Sequence, residues 1–157
     1  MRQAEIVNLN SKGVSLVEVM IALVVMLLVF FALMQTTLVG IDANMLNSLR
    51  SEGVNIAEQR MNEVRNQAFT EIQSDTGSLA GCDCPAGFPS TGICEQRNVK
   101  SITGFKFCTN VACTEIGGDG DCTTDSAGGD NKQVTVSIGW RWKGELYRHS
   151  ITTVRKR

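Results

Sequence analysis

Residues 14–39 read "VSLVEVMIALVVMLLVFFALMQTTLV", and this run constrains the chain more than any other stretch. From Val14 to Ile41 it carries one charged residue, Glu18, close to its start. At about 1.5 Å of rise per residue, a helix from Val14 to Leu33 covers roughly 30 Å, the thickness of a bilayer's hydrocarbon core. A secretory signal peptide has a shorter apolar core followed by a small-residue cleavage site. Here a polar leader, residues 1–13, comes first and no A-x-A site follows, so the segment is expected to stay in the mature protein.

A lone carboxylate inside hydrocarbon costs several kcal/mol, so Glu18 should be protonated or meet a cation. The run itself contains no cation. Cleavage after Gly13 would create one, the α-amino group of Val14, and Glu18 then follows four residues on, on the same helix face. The amine and the carboxylate can pair within one chain or between neighbouring chains. In the second case assembly itself relieves the cost of the buried charge.

Lys12-Gly13 followed by Val14-Ser15-Leu16-Val17-Glu18-Val19 resembles the processing signal of type IV pilins and type II secretion pseudopilins. The resemblance spans about residues 8–40. It implies that a membrane prepilin peptidase cuts after Gly13 and methylates the new N-terminus at Val14, and that Glu18 is the assembly residue. Glycine suits a protease site that needs an unobstructed backbone. Val14 departs from the usual Phe or Met, and Gln35 stands where many major pilins carry a kinking proline. The implied partners are the peptidase, other pilin or pseudopilin subunits and an inner-membrane assembly platform, with no nucleic acid. The implied location is the inner membrane, crossed once with the C-terminal domain in the periplasm, and then a pilus or pseudopilus. "AEQRMNEVR" (57–65) and the closing "QVTVSIGWRW" and "ITTVRKR" are similar to PilV-type minor pilins and I-type minor pseudopilins. That favours a minor, structural, non-enzymatic subunit over a major one.

Beyond the apolar run, Met45, Leu49, Gly53, Ile56, Ala57, Met61, Val64, Ala68 and Ile72 recur at three- and four-residue steps. Arg50, Glu52, Glu58, Arg60, Glu63 and Arg65 occupy the other faces. This is an amphipathic helix over about 41–72. With no proline before Pro85, it is free to continue the membrane helix. From Gly77 the chain is loop-rich up to about Val99, and "SITGFKFCTNV" is a strand candidate. Val134, Val136, Ile138, Trp140 and Trp142 alternate with polar residues, and "LYRHSITTV" returns after Lys143-Gly144, which predicts a hairpin. The expected fold is therefore α+β, with the distal helix packed on a small antiparallel sheet. The expected division is leader 1–13, assembly helix 14–39, amphipathic helix 40–76 and Cys-rich domain 77–157.

All six cysteines, Cys82, Cys84, Cys94, Cys108, Cys113 and Cys122, lie in that last zone. An even number in a Gly-rich region points to disulfides and an oxidising compartment, without fixing the pairing. A tethered periplasmic metal protein is the alternative. Cys82-Asp83-Cys84 is C-x-C rather than C-x-x-C and no histidine is near, which argues against zinc or iron–sulfur.

Asp119, Asp121, Asp125 and Asp130 fall in "GGDGDCTTDSAGGD". Such spacing can wrap Ca²⁺ but does not follow the EF-hand pattern, and a solvated acidic loop is the simpler reading, with no cofactor needed. The lone His149 has no nucleophile recognisably placed around it, and Trp140 and Trp142 share one strand face. A net charge of −1 gives no global basic field, and Arg155-Lys156-Arg157 reads as a solvated terminus. A display role for the Cys-rich domain, as an adhesin or other binding module, is the remaining alternative.

Overall fold

The structure, a computed structural model, describes Gly13, residues 15–117, Gly120, Cys122 and residues 130–157. It is α+β. Helix α1 spans Leu16–Asn66, a single turn of 3₁₀ helix follows at Phe69–Glu71, and four strands complete the chain. These are β1 (Ile93–Val99), β2 (Ile102–Ile116), β3 (Asn131–Trp142) and β4 (Glu145–Lys156), antiparallel throughout and side by side in chain order. The chain divides into two compact units, Met1–Asp42 and Ala43–Arg157.

In the second unit the helical stripe and the strand alternation meet. Met45, Leu49, Gly53, Ile56, Ala57, Met61 and Val64 are the buried residues of α1. Against them the sheet sets Phe107, Val111 and Cys113 from β2 and Val134, Val136, Ile138 and Trp140 from β3. All four β3 residues are even-numbered and those from β2 odd-numbered, as a period of two requires when one face is covered. Gly53 lets the helix come down on the Trp140 indole, since a Cβ there would lie 2.9 Å from Trp140 Cζ3. Trp140 in turn stacks on its cross-strand partner Tyr147, with ring centroids 5.7 Å apart.

The helix stops earlier than the stripe suggests. It ends at Asn66, Ala68 is extended and exposed, and Ile72 is buried from a non-helical segment. The last-turn carbonyls of a helix carry partial negative charge and need donors. Arg155 supplies one, donating from Nη1 to the Arg65 carbonyl at 2.7 Å. Beyond the helix end, Asp75 ties the connection to the sheet: its carboxylate accepts from the Val111 amide at 2.8 Å and takes a two-oxygen contact from Arg60, at 2.9 and 3.1 Å.

Lys132 extends the inward-facing row of β3, directly opposite Glu115 of β2. Both side chains are 2% exposed and lie 4.0 Å apart. Lys132 Nζ also donates to the carbonyls of Phe69 (3.1 Å) and Ile72 (3.3 Å), which fastens the segment after α1 to the sheet. Removing one partner of a buried pair leaves the other charge uncompensated. Lys132→Met should therefore destabilise the domain by about 3 kcal/mol. Lys132→Met with Glu115→Leu should recover part of that loss, and chemical denaturation of the two variants checks both values.

The hairpin β3–β4 turns at Lys143-Gly144, whose φ values of 50° and 86° match a two-residue primed turn. Two expectations need correction. The stretch before Val99 is not all loop, since Ile93–Val99 forms β1, and β2 extends beyond Val111 to Ile116. "ICEQRNV" has no clean alternation because β1 is an edge strand whose residues are mostly exposed or half-buried. Polar and charged residues are what such an edge favours.

Candidate functional site: the N-terminal helix and the cysteine cluster

Gly13 is exposed, and a Cβ added there would meet nothing within 4 Å. Val14, the residue expected to become the new N-terminus, lies outside the described residues. Ser15 opens the helix. Its carbonyl accepts from the amides of Glu18 (3.0 Å) and Val19 (3.2 Å), which places Glu18 in the first turn. A carboxylate there is favoured by the positive end of the helix dipole. Around Glu18 the helix surface is apolar, with Val19, Ala22, Leu23 and Met26 lining one shallow groove. Leu27, Phe30, Phe31 and Met34 line a second groove further along.

Every residue from Ser15 to Ile41 is exposed. The segment is long and apolar enough to cross a membrane, and an uncovered surface of this kind fits membrane anchoring. An exposed apolar face of such extent calls for lipid or protein to cover it.

The cysteines pair as Cys82–Cys94, Cys84–Cys108 and Cys113–Cys122, with Cα–Cα separations of 5.7, 5.6 and 5.8 Å. These separations lie within the usual range for a bridge. Cys113 sits on the inner face of β2, and its sulfur lies 3.9 Å from the Ile72 carbonyl. The other two bridges lie together on the opposite face, where residues 77–92 cover the sheet. There Pro85 and Phe88 press on Gly139 so closely that a Cβ would fall 2.9 and 2.8 Å from them. The sulfurs of Cys82, Cys84 and Cys108 all lie within 4.8 Å of one another. A soft metal ion could use such a cluster only as thiolates, and in the bridged protein those sulfurs are bonded to cysteine.

Of the four aspartates expected to form an acidic loop, Asp119, Asp121 and Asp125 lie outside the described residues. Asp130 is exposed, and its carbonyl accepts from the Arg157 amide at 2.9 Å. His149 is half-buried on β4 opposite Ile138. Trp140 is core and Trp142 half-buried beside Phe105, at a centroid distance of 6.3 Å. The clustering of four cysteines was not visible in their spacing. It depends on residues 82–84 folding back over the β1–β2 pair, and no sequence period encodes that.

Comparison with curated proteins and with solved structures returned no match. Residues 8–34 do match the family model described as the prokaryotic N-terminal methylation motif. That match brackets Gly13, Val14 and Glu18 and ends at Met34, inside the apolar run. The chain thus carries, on its exposed apolar helix, the N-terminal methylation motif of type IV pilin-like proteins, which implies processing by a prepilin peptidase and assembly with pilins.

Proposed function

We propose that the chain is a minor pilin or pseudopilin. It is stored in the inner membrane through residues 14–39, processed between Gly13 and Val14, and assembled at or near the tip of a type IV pilus or pseudopilus to prime or modify its growth. The observation that carries this reading is the coincidence of the methylation motif with a helix whose apolar surface is exposed from Leu16 to Ile41. Lys12 and Arg2 precede the run, and basic residues are retained on the cytoplasmic side, so the C-terminal domain faces the periplasm. Three disulfides suit that oxidising compartment.

The subunit does no chemistry in this role. Its helix supplies apolar surface on which neighbouring helices replace lipid, an exchange driven by side-chain packing and interhelical polar contacts rather than by removing apolar area from water. Glu18 supplies a charge that a neighbour's methylated amine neutralises. The "AEQRMNEVR" segment and the final strands support a minor rather than a major subunit.

Quantifying this chain against the main subunit in sheared filaments tests the role. A few copies per filament, together with fewer filaments in a strain lacking it, are expected. Copy numbers equal to the main subunit would assign it to the shaft instead.

A further inference from the structure

Cys94 and Cys108 are directly opposite across β1 and β2, so both side chains stand on the same face of the sheet. Neither is bonded to the other: each is held by a cysteine from residues 82–84 folded over them. The two bridges interleave along the chain, 82 with 94 and 84 with 108, and they touch. Cys82 Sγ lies 3.3 Å from Cys108 Sγ, although the two are not bonded. Exposure separates the four. Cys108 is fully buried, while Cys82, Cys84 and Cys94 are half-buried. Two cations flank the loop side of the cluster. Lys106 Nζ donates to the Gly81 carbonyl at 3.0 Å, and Arg141 pairs with Asp83 at 3.1 Å.

We propose that Cys82, Cys84, Cys94 and Cys108 form one thiol–disulfide exchange site, entered by an external thiolate at the half-exposed sulfurs and carried to buried Cys108 by Cys82. The external thiolate attacks Cys94 Sγ, forms a mixed disulfide and releases the Cys82 thiolate. Cys82 attacks the adjacent Cys108 Sγ, forms Cys82–Cys108 and releases the Cys84 thiolate. Cys84 then attacks Cys94 in the mixed disulfide, forms Cys84–Cys94 and returns the external thiolate. Two bridges exist before and after, so no oxidant or reductant is consumed. The partner this chemistry fits is a protein of the disulfide-isomerase class, presenting one reactive thiolate. Such a partner could correct the pairing of the folded domain without unfolding its core, because Cys113–Cys122 lies on the other face of the sheet.

Full-length protein in detergent, treated with limiting reduced glutathione, quenched with acid and alkylated, tests the site. Proteolysis before Asp83 separates Cys82 from Cys84 for mass mapping. The expected result is a Cys82–Cys108 link, with the alkyl label on Cys84 and glutathione on Cys94, or a Cys84–Cys94 link once the cycle closes, and Cys113–Cys122 intact. The variant Cys94→Ser, which leaves Cys82 without its partner, should show Cys82–Cys108 beside Cys84–Cys108. Single-bridge species confined to the original pairs in the wild-type protein would overturn the proposal, whether or not the variant folds. So would links from the cluster to Cys113 or Cys122, which would mean exchange through the unfolded chain.

Discussion

A chain carrying Gly13→Leu accumulates as full-length precursor, and the shift in gel mobility that marks loss of the leader disappears. The folded protein gives no reason for this loss, because a side chain at Gly13 meets nothing within 4 Å. The block therefore lies in the peptidase, whose site must receive a bare backbone at the residue before the cut. Gly13→Ala, with one added carbon, should be cut slowly, and Gly13→Leu at no measurable rate. Because the helix from Leu16 onward does not involve residue 13, both variants should still reach the membrane. Normal cleavage of Gly13→Leu would count against the peptidase reading.

Glu18→Ala separates assembly from processing. The substitution leaves Gly13 and the apolar run in place, so cleavage and methylation should proceed. What disappears, on the proposed reading, is the carboxylate that answers a methylated amine in an apolar surrounding. Removing one member of a buried ion pair costs about 3–5 kcal/mol. At about 1.4 kcal/mol per tenfold, incorporation into filaments should fall on the order of 100-fold or more. Glu18→Gln keeps the shape and loses the charge, so it should behave like Glu18→Ala if pairing matters and like wild type if only packing does. Quantitative immunoblots of the filament fraction, normalised to processed chain in the membrane, give the number. Undiminished incorporation of Glu18→Ala would remove the pairing argument.

The motif around these two positions was legible in the sequence because its signal is local: a glycine, a carboxylate five residues on, and an unbroken apolar run. The helix face of the second unit was legible for a related reason, since Met45 through Val64 keep helical spacing and all pack inward. The end of the helix was not. Ala68 and Ile72 continue the spacing, but the chain turns after Asn66, where Arg155 takes a last-turn carbonyl and Lys132 fixes the segment that follows. Those donors come from the far end of the sequence.

Parity did contain a usable clue. Lys132 extends the even-numbered inward row of β3 and Glu115 the odd-numbered row of β2, so the alternation alone puts both charges inside. β1 was hidden because an edge strand has little apolar pattern to display. The cysteines announced disulfides but not the cluster, since loop closure over residues 82–94 leaves no periodic trace.

In the proposed function, a cut between Gly13 and Val14 converts a membrane-tethered precursor into an assembly-competent subunit. Intact-mass and N-terminal peptide analysis of the chain purified from membranes tests this directly. The predicted product begins at Val14 and carries a methyl group on its α-amine. A chain that retains residues 1–13, or begins at any other residue, would contradict the account.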